Sequence, residues 1–331
     1  MKEKNILISG TMRSGTTLMC AILDAHPEIS MASDYLTWFW KQFVPKFAGI
    51  STEYELEWAL YEMEPYMIRH SNPIDLDLLK QETIKKGISF LSFYDTLFEQ
   101  LSPNDLKPVR GIKVTHLAYH YEYFILNIPN PFIIHMVRNC MDVYCSHKKR
   151  AKPQVEKKLD PVRGALRFFH TKKAQLGRYL IGKKILIDDR IFNPYIYNYP
   201  IRMIDEWNIT NRIALEIKER FPEKVEIVKY EDLVTEPRGT LQHLIKKLGI
   251  HWYEGFYDYA NLKSRDGSRF MANTSYNDKG VSSNDKGISG FSTDHINIGN
   301  QLMSPDEKEY YERVAKETAC KLGYEVGFGV R

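Results

Sequence analysis

The sequence has few cysteines, no long apolar run and little excess charge. Four cysteines in 331 residues, with no CxxC pair, exclude a disulfide scaffold and the common zinc motifs. We interpret them as reduced thiols, with Cys20 and Cys320 filling the core. A net charge of +4, from 46 basic and 42 acidic residues, is too small to predict a nucleic-acid partner.

Segments that direct a chain to a membrane are also missing. No stretch reaches the ~20 apolar residues of a membrane span. The apolar run at residues 5–9 stops at Gly10, which is too short for the core of a secretory signal. We therefore expect a cytoplasmic protein without a membrane span. Apolar residues make up 43% of the chain, which suffices for a sizeable core and argues against bulk disorder.

Short apolar runs alternate with longer helical patterns along the chain. The runs predict buried parallel strands at 5–9, 111–117, 131–137, 184–187 and 225–229. Helices are predicted at 16–25, 52–69, 74–86, 141–150, 162–180, 201–220 and 238–248, and a last one begins at Ser304-Pro305-Asp306-Glu307. This order predicts a three-layer α/β fold in which helices flank a central parallel sheet. We expect residues 1–331 to form one domain, with 263–301 as a long loop.

The strongest motif follows the first strand and reads Gly10-Thr11-Met12-Arg13-Ser14-Gly15-Thr16-Thr17. A strand, a glycine loop and a helix start let backbone N–H groups and the helix dipole converge on a phosphate. The Walker A loop ends in Gly-Lys-Ser/Thr, but here Thr16 follows Gly15, and the cation, Arg13, is inside the loop. The pattern predicts a P-loop-like phosphate site and disfavours an ordinary ATP or GTP hydrolase.

A second anion site is predicted where the strand at 131–137 leads into the next helix. Arg138 follows that strand directly, at the edge where open α/β sheets bind ligands. Ser146 lies eight residues further on, about two helical turns, so it can face the same phosphate. A third strand leads into Tyr230-Glu231-Asp232-Leu233.

Together these motifs resemble the sulfotransferases that use 3′-phosphoadenosine 5′-phosphosulfate (PAPS), and the resemblance covers nearly the whole chain. It implies PAPS as cosubstrate, 3′-phosphoadenosine 5′-phosphate (PAP) as product, and no required metal. The residues implied to bind the 5′-phosphosulfate are Arg13, Ser14, Gly15, Thr16 and Thr17. Arg138 and Ser146 would bind the 3′-phosphate, and Tyr230 would lie near the adenine. Lys286-Gly287 resembles the family's late loop over the nucleotide, so residues 263–301 are expected to cover it.

Sulfuryl transfer needs a base that takes the proton of the acceptor. His116 resembles the base of the family's Lys-Thr-His-Leu motif, and Lys113 resembles its lysine, although Val114 is an extra residue here. In this hypothesis Arg13, together with Lys113, stabilises the charge on the leaving oxygen. The rival base is Asp34, about where other members carry a glutamate after His-Pro; an aspartate there is equally suited to cap a helix.

The acceptor stays open between a small molecule, a glycan and a carrier-bound group with a hydroxyl or amine. The aromatic residues between Tyr35 and Tyr66 fit a pocket wall, but they more often reflect helix packing. Two other functions are a P-loop small-molecule or nucleotide kinase and a non-catalytic nucleotide-binding protein on the same fold. The lysine missing after Gly15 argues against the kinase, and the presence of Arg13, Arg138 and His116 argues against the non-catalytic protein.

Overall fold

The computed structural model describes residues 4–33, 49–67, 74–101, 107–155, 202–263, 270, 291, 293 and 296–324. These residues fall into two compact units. The first unit lies within Met1–Val137 and Glu216–Thr293, and the second lies within Arg138–Leu215 and Asp294–Arg331. The expectation that residues 1–331 form one domain stays a prediction.

A five-stranded parallel sheet is the centre of the first unit. Its strands are β1 (Lys4–Gly10), β2 (Ile29–Ser33), β3 (Val109–Lys113), β4 (Pro131–Val137) and β5 (Val225–Lys229). They lie in the order β2-β3-β1-β4-β5, and each neighbouring pair is parallel. The predicted α/β fold with a central parallel sheet is confirmed.

Helices connect and flank these strands. They are α1 (Thr16–Asp24), α2 (Glu53–Met67), α3 (Leu76–Lys85), α4 (Phe90–Leu101), α5 (Tyr121–Asn127), α6 (Cys140–Val155), α7 (Arg202–Arg220), α8 (Tyr230–Thr235), α9 (Pro237–Leu248), α10 (Gly299–Leu302) and α11 (Pro305–Lys321). α6, α10 and α11 belong to the second unit, and α7 begins there and ends in the first. No helix in the part of the chain that the structure describes is both long and apolar enough to cross a membrane.

β1 is the middle strand because its side chains can be buried on both faces. Ile6, Leu7 and Ile8 are completely buried, and β1 pairs with β3 on one side and β4 on the other. After β3 the chain crosses β1 to form β4, so the strand order reverses beside β1. Open α/β sheets bind ligands outside the carboxyl ends of the strands at such a switch point. The loop that follows Gly10 occupies this position.

The strands of the structure differ from the prediction in two places. β2 was not predicted, because it is an edge strand with one partner and Ser30 and Ser33 break its apolar pattern. β3 ends at Lys113 rather than at residue 117, because the chain turns at His116, where φ is +59°. The predicted strand at 184–187 and helix at 162–180 lie outside the described residues.

The ends of two helices follow from local sequence. At residue 52, the Thr52 hydroxyl accepts from the Glu55 N–H (3.2 Å), and the Glu55 carboxylate accepts from the Thr52 N–H (2.9 Å). The same reciprocal capping box joins Ser304 and Glu307 at the start of α11. Both helices begin where the sequence predicts them. Cys20 is buried as predicted, but Cys320 is exposed on the outer face of α11, so its expected role in the core was wrong.

Candidate functional site

The loop between β1 and α1 requires glycine at both ends. Gly10 has φ +143°, and a side chain there would collide with the Met136 carbonyl of β4. Gly15 has φ +85°, and a Cβ there would lie 2.6 Å from Cδ2 of Tyr230. The main chain of the loop therefore packs closely against its neighbours at both positions. Since β4 and α8 both contact the loop, tertiary structure fixes its path.

Hydroxyl groups line the interior of this loop. The Thr11 and Ser14 hydroxyl oxygens lie 2.7 Å apart, and the Ser14 N–H donates to the Thr11 carbonyl (3.3 Å). Ser14 and Thr16 are buried, whereas Thr17 is half-buried. No side chain caps α1. The Met19 N–H bonds to the Gly15 carbonyl (3.0 Å), so the N–H groups of the first turn lie before the first hydrogen bond within the helix. Such a turn can donate several N–H groups to one phosphate oxygen cluster.

Arg13 is the cation within the loop, and it is half-buried. Its φ is +71°, a left-handed conformation that glycine adopts without strain and that costs an ordinary residue about 1–2 kcal/mol. The loop thus contains an arginine at a position where glycine would adopt the same backbone conformation without strain. This favours a role for the guanidinium group itself, since its planar fork suits an anion.

The predicted base, His116, lies in the turn that follows β3. Its N–H donates to the Gly10 carbonyl (2.9 Å), and the Val114 N–H donates to the Ile8 carbonyl (3.0 Å). His116 is 6% exposed and has a left-handed φ of +59°. The turn therefore attaches His116 to the first residue of the phosphate loop, at the carboxyl edge of the sheet.

Lys113, the last residue of β3, is also buried, at 4% exposed. It lies between Ile8 of β1 and Ser33 of β2 in the sheet. Strict alternation would place Lys113 and His116 on opposite faces of one strand. Because β3 ends before His116, that argument does not apply to this pair.

A buried hydrogen-bond chain beneath the loop was not predicted from the sequence. Ser9 of β1 and His135 of β4 are register partners, and both are completely buried. The Tyr121 hydroxyl lies 2.6 Å from Nδ1 of His135 and is also hydrogen-bonded to the Ser9 hydroxyl. Ser9 Oγ further accepts the N–H of Leu117 (3.2 Å), the residue after His116. The sequence signal for this chain was a polar residue, His135, inside the otherwise apolar run 132–137.

Tyr230 begins α8, directly after β5. Its ring lies against the backbone of Gly15, as the 2.6 Å approach to a Gly15 Cβ position shows. The structure therefore brings the predicted adenine neighbour and the predicted phosphate loop together within the first unit. Their contact explains why residue 15 has no room for a side chain.

The predicted 3′-phosphate residues lie in the second unit. Arg138 is 6% exposed, and its carbonyl accepts from Nε1 of Trp207 (2.8 Å). Asn139 caps α6, since its side-chain oxygen accepts from the Met141 N–H (2.9 Å). Ser146 is half-buried on the same helix. The backbone around Arg138 is thus fixed from both sides, by α7 and by the start of α6.

Asp142 is a second buried group that sequence reasoning missed. It is completely buried on α6, and its carboxylate accepts two backbone hydrogen bonds, from the N–H of Asn297 (2.9 Å) and of Gly299 (2.8 Å). These bonds attach the segment before α10 to α6. The sequence signal for Asp142 was its position midway between Arg138 and Ser146, four residues from each.

Three predicted site residues, Asp34, Lys286 and Gly287, lie outside the described residues. Their roles stay predictions. Within the described ranges, no group of three or more His, Cys, Asp and Glu side chains is arranged to hold a metal ion.

His26, from the His-Pro motif that pointed to the rival base, is a structural residue. It is 1% exposed in the turn between α1 and β2. Its Nδ1 accepts from the Glu28 N–H (3.1 Å), and its Nε2 lies 2.9 Å from the His251 carbonyl. Because Nδ1 accepts and Nε2 donates, the ring is neutral. The ring also packs edge-on against Phe256 at 5.1 Å between centroids.

This arrangement predicts a loss of stability in mild acid. Burial lowers the pKa of His26 from its ordinary 6.5, and the His251 carbonyl and the Glu28 charge oppose this only in part. The unfolded chain then takes up a proton at higher pH than the folded chain. Stability from neutral His26 is therefore complete above about pH 6.5 and decreases as the pH falls toward the folded pKa, by at most about 1.4 kcal/mol per pH unit.

Urea unfolding at a series of pH values between about 7 and 5.5 measures this slope. His26→Gln removes the titrating group and retains a donor for the His251 carbonyl, so the slope should flatten. His251→Gln is the matched control, because the His251 side chain is 82% exposed; it should retain the slope. An unchanged slope in His26→Gln contradicts the prediction.

Residues 5–178 match the family model described as "Sulfotransferase family". The fold is similar to the sulfotransferase domain from the curacin biosynthetic pathway, with a TM-score of 0.56 and 17% identity over 99% of this chain and 100% of that one.

It is also similar to the sulfotransferase domain of the Synechococcus PCC 7002 olefin synthase, with a TM-score of 0.54 and 16% identity over 99% of this chain and 98% of that one. No curated protein matches the sequence. At these identities the structural likeness shows the fold alone, whereas the family model matches more than half of the chain.

Proposed function

The chain belongs to the sulfotransferase family, and we propose that it transfers a sulfuryl group from PAPS to a hydroxyl or amine of an acceptor. The observation that carries the proposal is the loop from Gly10 to Thr16. It combines two glycines that the packing requires, buried hydroxyls, an uncapped helix start and an interior arginine. These groups suit a phosphosulfate, and no lysine follows Gly15 as in nucleoside triphosphate hydrolases.

The donor carries two separate phosphate groups, so two anion sites are needed. The proposal assigns the 5′-phosphosulfate to residues Arg13 to Thr17. It assigns the 3′-phosphate to Arg138 and Ser146, and the adenine to Tyr230. The contact between Tyr230 and Gly15 supports this assignment, because an adenine neighbour should lie close to the 5′ loop. The buried position of Arg138, with its carbonyl held by Trp207, supports a prearranged guanidinium.

The donor supplies the sulfuryl group and leaves as PAP. We assign the acceptor proton to His116, which lies in a turn bonded to the loop at Gly10. The new bond joins the acceptor oxygen or nitrogen to sulfur, and the bond from sulfur to the bridging phosphate oxygen breaks. Charge that develops on that oxygen would be stabilised by Arg13, with Lys113 as a second cation. Asp34 remains the rival base.

Ligand-dependent thermal unfolding tests the donor assignment. PAP should raise the melting temperature, since a ligand that binds only the folded state at 100 times its Kd stabilises it by about 2.7 kcal/mol. Mg-ATP should raise it little. A screen of small-molecule, glycan and carrier-bound acceptors with labelled PAPS then identifies the substrate. Stabilisation by Mg-ATP but not by PAP would instead favour a kinase.

Glycine variants provide the control for this experiment. In Gly15→Ala, the new methyl group collides with Tyr230, so the stabilisation by PAP should disappear. Gly249→Ala is matched to it, because Gly249 also has a left-handed φ, +69°, but its Cβ position is open. It should retain the PAP response. PAP binding without transfer to any acceptor would favour a non-catalytic nucleotide-binding protein.

A further inference from the structure

The buried chain Ser9–Tyr121–His135 has no part in the function proposed so far. All three side chains are completely buried, and they come from β1, α5 and β4 of the first unit. Polar groups in such a position cost stability unless they are fully hydrogen-bonded. The hydrogen-bond chain extends to the Leu117 N–H, which donates to Ser9 Oγ. It therefore reaches the residue that follows the predicted base, His116.

The hydrogen bonds of the chain can all run in one direction, from the Leu117 N–H through Ser9 and Tyr121 to Nδ1 of His135. Burial raises the pKa of Tyr121 well above its ordinary value, so its hydroxyl stays protonated. It can therefore donate to Nδ1 of His135, 2.6 Å away. Ser9 then donates to Tyr121 and accepts from the Leu117 N–H. In this arrangement the Leu117 N–H and the Ser9 and Tyr121 hydroxyls each have an acceptor, and the neighbours of Ser9 fix the orientation of its hydroxyl.

The turn that the chain supports is a strained one. His116 has a φ of +59°, and a left-handed non-glycine residue persists only where its surroundings determine its conformation. Two backbone N–H groups hold this turn, with the His116 N–H donating to the Gly10 carbonyl and the Leu117 N–H donating to Ser9 Oγ. The second of these is the one bond of the pair that depends on a side chain, so it can be altered by substitution.

We infer that the Ser9–Tyr121–His135 chain is a positioning element that fixes the His116 turn for sulfuryl transfer. The inference rests on the proposed function, since it assumes that His116 takes the acceptor proton. Tyr121 orients the Ser9 hydroxyl, Ser9 holds the Leu117 N–H, and this bond maintains the left-handed backbone at His116. None of the three positioning residues needs to contact a substrate.

Tyr121→Phe is the direct test, because it removes one oxygen atom and retains the ring. We expect kcat to fall about tenfold, the effect of one weakened hydrogen bond, with the Kd for PAP within about twofold of wild type. Amide hydrogen exchange at Leu117 should become faster, which does not depend on activity. His135→Asn retains an acceptor near the Nδ1 position and should keep most of kcat, whereas His135→Leu should lose as much as Tyr121→Phe.

Tyr94→Phe is the matched control. Tyr94 is completely buried in the same unit, and its hydroxyl has no hydrogen-bond partner among the described residues. This variant should keep wild-type kcat and wild-type exchange at Leu117. If Tyr121→Phe only lowers the melting temperature and retains kcat, the chain has a structural role and the inference is wrong. If the wild-type protein transfers no sulfuryl group, the proposed function fails. Unchanged amide exchange at Leu117 in Tyr121→Phe would separately overturn the positioning role.

Discussion

Replacing His116 by alanine is expected to lower kcat by about 10²–10⁴-fold and to leave the Kd for PAP within about twofold. The reason is that a general base acts in the transition state, whereas the nucleotide is bound by other residues. Steady-state kinetics and calorimetric titration with PAP measure both quantities.

The left-handed backbone at His116 offers a sharper control than alanine. Alanine would be strained there, but glycine and asparagine adopt a φ near +59° readily. His116→Gly and His116→Asn should therefore reduce this backbone strain of about 1–2 kcal/mol and still lack the base. Their inactivity would separate the loss of chemistry from the loss of structure.

The rival base is tested by Asp34→Asn, because asparagine caps a helix about as well as aspartate does. We expect this variant to keep most of its turnover. Complete loss in Asp34→Asn, together with high activity in His116→Gly, would assign the base to the carboxylate and contradict our proposal.

Replacing Arg138 by alanine is expected to weaken PAP binding by roughly ten- to a hundredfold. A buried guanidinium makes charge-assisted hydrogen bonds to a phosphate, and each is worth about 1.5–3 kcal/mol. Adenosine 5′-monophosphate lacks the 3′-phosphate, so its Kd should change little. Calorimetric titration of both nucleotides measures the difference.

Arg313→Ala provides the comparison for total charge. Arg313 is exposed on α11 of the same unit, where its guanidinium lies over the ring of Tyr310 at 5.2 Å. Its removal deletes the same charge from the surface and should leave both affinities unchanged. An equal loss for the two nucleotides in Arg138→Ala would show that Arg138 does not recognise the 3′-phosphate.

Features encoded by neighbouring residues could be predicted from the sequence. The strand, glycine loop and helix around Gly10 and Gly15 form as expected, because the two glycines adopt the positive φ values that the close packing there requires. The capping boxes at Thr52 and Ser304 are also present. α4 was overlooked, although its buried residues Phe90, Phe93, Tyr94, Leu97 and Phe98 follow the helical period.

Features that depend on distant residues could not be predicted. Ser9 and Leu117 are separated by 108 residues, and no pattern in either segment indicates that they meet. Ser9 also looks like an ordinary strand residue before a glycine. The end of β3 was misplaced because Val114 to Leu117 have the composition of a strand, whereas bonds to β1 turn the chain. Edge strand β2 lacked the continuous apolar pattern of the buried strands.

The two backbone bonds on Asp142 also bear on how the chain is made. A ribosome that has just completed Asp142 must add a further 157 residues before Gly299 can bond to it. At ~5–20 residues per second, this interval lasts roughly 8–30 s. During that time the Asp142 carboxylate cannot accept its two backbone hydrogen bonds, because Asn297 and Gly299 have not yet been added to the chain. The start of α6 can therefore reach its final packing only late in translation, when the C-terminal segment has left the exit tunnel.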